Sequence, residues 1–106
     1  DAAPDESVGD AVVLALNDGS AAIRGEAMRT LGAMRYARAV QALTDLVQHH
    51  RRGPVAAAAF DALARIGYPT SRPLFDEMLG SRDAVMRRTA VEAVARLAAP
   101  ADAQRI

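Results

Sequence analysis

Ile23-Arg24-Gly25-Glu26-Ala27-Met28-Arg29-Thr30-Leu31 carries apolar residues four positions apart, at Ile23, Ala27 and Leu31. Residues four apart share one face of a helix. The pattern returns at Val55, Ala59 and Leu63, and again at Met86, Ala90 and Val94. The period is about 32 residues, within the range of helical repeat proteins. A second series, Leu16, Val47 and Leu79, recurs with the same period. Two interleaved apolar series with one period mark stacked helical hairpins, in which each layer covers its neighbour. The expected fold is all-α: a right-handed alpha-alpha superhelix, a solenoid of about six helices.

Turn signals divide the chain between these stripes. A helix is expected from about 6 to 17, with Val8, Ala11, Val12, Ala15 and Leu16 inward. The next runs from about 21 to 34 and buries Ile23, Ala27, Met28, Leu31 and Met34. Asn17-Asp18-Gly19-Ser20 precedes it, with Ser20 as N-cap. Further helices are expected near 38–49, 54–66, 71–79 and 84–98. Their inward residues include Ala39, Leu43, Val47, Phe60, Ile66, Leu74, Phe75, Met78, Leu79, Val91 and Leu97. Pro54 suits a first helical turn. Gly67 suits a left-handed C-cap, and Pro69 a stop. Asp83 stands two periods after Ser20 as the equivalent N-cap, and Pro100 is expected to end the last helix. Ser7, Ser20, Ser71 and Ser81 all fall at expected helix starts, where capping accounts for them. The organisation reads as one domain over 1–106: a half-repeat at 6–17, repeat one at 18–49, repeat two at 50–80 and a partial repeat three at 81–106. Residues 1–5 read as a lead-in, and the end at Gln104-Arg105-Ile106 as the start of another helix. Both ends read as cuts in a longer chain.

Composition narrows the function classes. Of 106 residues 51% are hydrophobic but only 4% aromatic, so the core must be aliphatic. Ala, the strongest helix former, supplies about a quarter of the chain. The thirteen basic residues, all Arg, balance thirteen acidic ones, which gives little long-range pull on nucleic acid or anionic lipid. There is no Cys, and so no disulfide or thiolate site. No apolar run reaches the length of a membrane span.

The run Asp18-Gly19-Ser20-Ala21-Ala22-Ile23-Arg24-Gly25-Glu26-Ala27-Met28-Arg29-Thr30-Leu31-Gly32 resembles the short HEAT-like repeat of bacterial proteins, the PBS-lyase type. Repeat three keeps the pattern from Asp83 through Met86-Arg87 and Ala90 to Val94. Repeat two departs from it: Ala56 stands in the Arg slot, and His50-Arg51 replaces the acidic turn. In the family that Arg and the acidic turn commonly bridge neighbouring repeats, so the resemblance implies such bridges in repeats one and three. Longer HEAT and armadillo units repeat at about 40–47 residues, ankyrin units at about 33 and tetratricopeptide units at about 34. The ankyrin Thr-Pro-Leu-His signature is absent. Leu31-Gly32 and Tyr36 echo a tetratricopeptide unit, but the next unit does not repeat that set.

No constellation for catalysis emerges. The adjacent carboxylates Asp76 and Glu77 do not share a helix face, and no Gly-rich loop follows a strand. His49-His50-Arg51-Arg52 could hold an anion or a metal, but it reads first as a solvated inter-repeat loop. Arg51-Arg52 and Arg82 with Arg87-Arg88 could align as a ridge for phosphate. The simpler reading pairs them with Asp76, Glu77 or Asp83. In HEAT-like stacks the second helix of each hairpin lines the concave face. The resemblance therefore implies a partner site at Arg38, Gln41, Asp45 and Gln48 on one unit and at Arg72, Asp76 and Glu77 on the next, with Asp10 in register with Gln41. Asp45 and Glu77, one period apart, should stack as an acidic rung suited to an extended basic peptide. The expected function is a non-catalytic protein–protein interaction scaffold without cofactor or metal, with end-to-end self-association as a further possibility. Two rivals stand beside it. One is an accessory domain resembling the HEAT-like subunits of phycobilin lyases, which would want an apolar groove with Arg and aromatic partners. The other is a nucleic-acid-binding HEAT-like domain, which would want a net basic concave face.

Overall fold

The computed structural model describes residues 4–104, with side chains from 6 to 98. The sequence expectations at 1–3 and 105–106 lie outside the described residues. Six α-helices follow one another: α1 (Pro4–Leu14), α2 (Ala21–Met34), α3 (Val40–His50), α4 (Pro54–Ile66), α5 (Arg72–Met78) and α6 (Ala84–Gln104). No strand occurs among the described residues. Short 3-10 turns at Ala15–Asn17, Ala37–Ala39 and Pro69–Ser71 extend α1 and lead into α3 and α5.

The turn chemistry places the boundaries. Ser20 Oγ accepts from the Ile23 backbone N–H at 3.4 Å, and Asp83 Oδ1 accepts from that of Val85 at 2.8 Å. Each thereby satisfies an amide at a helix start that has no partner within the helix. Pro54 opens α4, and α4 ends on Gly67 in the left-handed region at φ 63°. Arg35 does the same for α2 at φ 52°. Two expectations fail at the ends of the helical series. Pro100 does not stop α6, which continues to Gln104. Proline removes its own amide from the ladder and crowds the carbonyl four residues back, while the flanking Ala residues and Gln104 favour helix. Ser7 lies inside α1 rather than at its start, because α1 begins at Pro4.

The helices form two layers in a slab 17 Å thick, 42 Å long and 35 Å wide. That thickness fits two layers of helices at the usual axial spacing of about 8–10 Å. One row runs α2, α4, α6, with α4 packed on both others; α4 also packs on α3, α5 on α6, and α1 on α2. α4 therefore carries the centre of the core: Ala56, Ala59, Phe60, Ala62, Leu63 and Ala64 are all buried. The rings of Phe60 and Phe75 meet edge to face, 5.7 Å apart. Gly32 permits the close crossing of α2 and α4, since a Cβ there would stand 3.1 Å from Ala62 Cα.

The repeat is visible in the burial. Ala27, Ala59 and Ala90 are buried, as are Leu31 and Leu63. The first position of the series is not uniform: Ile23 is 46% exposed, Val55 half-buried and Met86 fully buried. α2 is the first described helix of its row, and Ile23 lies in an open pocket beside Ala11 and Val12 of α1 rather than beneath a helix of that row. Met34, at the far end of α2, is also exposed at 37%. The second series ends on Met78, not on Leu79. Leu16, Val47 and Met78 are buried and fall at equal intervals, while Leu79 follows α5 and is exposed. Val8, Ala11 and Val91, also expected inward, face solvent.

Candidate functional site

The turns that lead into α2, α4 and α6 have equivalent positions in the repeat, and two of them are clasped in the same way. Arg24 Nη1 donates to the carbonyl of Asp18 at 2.7 Å, and Arg87 Nη1 donates to the carbonyl of Ser81 at 2.7 Å. Each arginine lies the same distance along the chain from its acceptor. The expected bridge to a neighbouring repeat is thus a clasp on the turn of the same repeat, and the acceptor is a carbonyl rather than a carboxylate. Beside each clasp lies a second brace. The Ser20 N–H donates to Asp18 Oδ1 at 2.8 Å, and the Asp83 N–H donates to Ser81 Oγ at 3.1 Å. A family model described as PBS lyase HEAT-like repeat matches residues 23–49, which span most of α2 and nearly all of α3. Those residues form a HEAT-like repeat. No match was found among curated proteins or among solved structures.

The middle turn has no clasp, because Ala56 occupies the arginine slot. The turn folds on itself instead. The Arg52 N–H donates to the His50 carbonyl at 2.7 Å, Arg51 takes φ 62° and Gly53 takes φ 95°. Between it and the Gly80–Asp83 turn opens a cleft of about 890 Å³, lined by His50, Arg51, Arg52, Arg82, Glu77 and Asp83 among others.

The seven residues expected to form one concave ladder divide among different arrangements. Arg38 is committed to α1: its guanidinium reaches Glu6 Oε2 at 3.3 Å and Asp10 Oδ2 at 3.2 Å. Arg72 and Asp76 pair along α5 at 2.9 Å. Gln41 donates to Asp45 Oδ1 at 2.9 Å along α3, and Gln48 is exposed. Asp45 and Glu77 line separate cavities. Glu77 belongs to the cleft with Arg51 and Arg52, and Asp45 to a groove between α1 and α3. Nor, among the described residues, do the turn arginines of the cleft pair with the carboxylates nearby. Asp76 takes Arg72, and Arg82 makes no ion pair with Asp83.

The α1–α3 groove encloses about 330 Å³. Val13, Leu16, Ala42 and Leu46 line it with apolar surface, and Asn17, Asp45 and His49 supply polar groups. Among the described residues no cation lies within ion-pair distance of Asp45.

Sequence reading missed Tyr36. It reads as a turn residue, but it is buried at 9% exposure. Its hydroxyl donates to Asp10 Oδ1 at 2.5 Å and lies 2.9 Å from the Glu6 carbonyl. The hydrogen bond from Tyr36, seconded by Arg38, holds the Asp10 carboxyl below its ordinary value, with partial burial working the other way. Burial first, and then the bond to Asp10, push the Tyr36 phenol up. The signal was Gly9, which leaves the hole that the ring fills. Among the described residues no group of three His, Asp or Glu could hold a metal ion, and no helix is long and apolar enough to cross a membrane.

Proposed function

We propose that this chain is a non-catalytic interaction module that receives an extended segment of a protein partner on the face formed by α1 and α3. The observation that carries this reading is the groove itself, an apolar strip edged by Asp45, a carboxylate with no cation beside it among the described residues. An apolar side chain of the partner would fill the strip, and a neighbouring Lys or Arg would meet Asp45. A preformed groove on rigid helices limits the ordering cost of binding. The remaining residues first expected on this face act differently. Arg38 ties α1 to α3, and Arg72 and Asp76 neutralise each other, so the partner-binding set reduces to Gln41, Asp45 and Gln48 with the apolar strip.

Selection of peptides from a random library against the folded chain tests the reading. Enriched sequences should place a basic residue beside an aliphatic or aromatic one, and Asp45→Arg should abolish their binding while leaving the melting curve in place. Selected peptides that bind Asp45→Arg and wild type alike would remove the groove as the site.

A further inference from the structure

Most of the described arginines have a partner. Arg29, Arg38, Arg65, Arg72 and Arg88 form ion pairs, and Arg24, Arg87 and Arg96 hold backbone carbonyls. Arg35, Arg51, Arg52 and Arg82 are left, with neither an ion pair nor a side-chain hydrogen bond among the described residues. Three of these four line the single cleft between the middle turn and the turn before α6. Arg51 also holds φ 62° with ψ −31°, outside the left-handed helical well and in a region that glycine reaches at lower cost. The turn geometry alone would favour glycine there, so the side chain needs another reason.

We infer that this cleft is a docking site for an acidic segment of a protein partner, whose Asp and Glu side chains pair with Arg51, Arg52 and Arg82. Planar guanidinium groups match carboxylates two bonds at a time. Glu77 and Asp83 stand in the same cleft, so its positive charge is broken into separate points. Separate points suit discrete side-chain carboxylates, whereas a continuous phosphate backbone would have to pass the like charges of Glu77 and Asp83. The formally neutral chain adds no long-range attraction for a nucleic acid. The cleft and the α1–α3 groove share no lining residue, and either site can fail alone.

Fluorescence anisotropy with a labelled Glu-rich peptide tests the inference, with Arg82→Gln, the double variant Arg51→Gln with Arg52→Gln, and Arg35→Gln. The expected result is saturable binding to wild type that weakens with added salt. Arg82→Gln should weaken it by roughly tenfold, the loss of about one charge-assisted contact, and the double variant, which removes two, should weaken it further. Arg35→Gln, which removes the same charge elsewhere, should leave it unchanged. All four positions are exposed, so the variants should keep the wild-type melting curve. Absence of saturation with wild type would overturn the inference, as would an equal loss in Arg35→Gln. So would a labelled oligonucleotide of matched charge that binds as tightly as the peptide.

Discussion

The ring of Tyr36 fills the space that a side chain at position 9 would need: a Cβ on Gly9 would stand 2.3 Å from Tyr36 Cζ. The equivalent tyrosine of the next repeat, Tyr68, is 44% exposed. One repeat after Gly9 fall Val40 and Gln41, whose side chains leave no such hole. Gly9→Ala must therefore expel the Tyr36 ring or shift α1. Alanine gains helix propensity over glycine, about 0.5–1 kcal/mol. Overpacking costs about 1–3 kcal/mol, so the clash should win. Urea unfolding should show a net loss for Gly9→Ala and none for Gly19→Ala, where nothing lies within 4 Å of the added carbon.

The same contact sets a pH dependence. Asp10 has its pKa lowered in the folded chain, so its contribution to stability is full above the unfolded carboxylate value of about 3.9 and is lost as pH falls through the folded value. Tyr36 has its pKa raised, so its contribution is full below about 10 and is lost as pH rises through the folded value. Asp10→Asn should flatten the acid limb of melting temperature against pH. An acid limb of unchanged slope would show that other carboxylates set it.

Leu63 and Ile23 both belong to the recurring apolar stripe but meet different environments. Leu63 is fully buried, and Leu63→Ala should cost about 2–5 kcal/mol. Ile23 is 46% exposed, and Ile23→Ala should cost less than about 1 kcal/mol. Equal losses in denaturant unfolding would contradict the open edge of α2.

Ser71 occupies the slot that Ala39 holds one repeat earlier, and both are buried. The Ser71 hydroxyl does not cap α5 and has no hydrogen-bond partner among the described residues. Burying an unpaired hydroxyl is unfavourable, so Ser71→Ala should raise stability by about 1 kcal/mol. A lower melting temperature in that variant would mean that the hydroxyl is bonded in solution.

The fold was legible because helix periodicity and turn residues acted together. Ala27, Ala59 and Ala90 each face a neighbouring helix, and Ser20, Gly67 and Asp83 mark boundaries by local chemistry that needs no tertiary contact. What sequence could not supply was context beyond one helix. Ile23 and Met86 share a repeat position, but whether a neighbour covers them depends on their place in the row. Tyr36 reads as a turn residue until Gly9 of another helix is brought beneath it. The site was less legible still. Arg38, Arg72 and Asp76 look available along a chain, and only three dimensions reveal that they are already paired. Conversely, Arg51, Arg52 and Arg82 look like turn residues paired with nearby carboxylates, and in the fold Glu77 and Asp83 share their cleft without an ion pair among the described residues.

The position of α4, in contact with α2, α3 and α6, makes it a keystone. A blemish in α4 is therefore felt by both flanks at once, whereas a blemish in α1 stays local. Sequence drift should accordingly be freest at the two margins of the slab and most confined along its central axis.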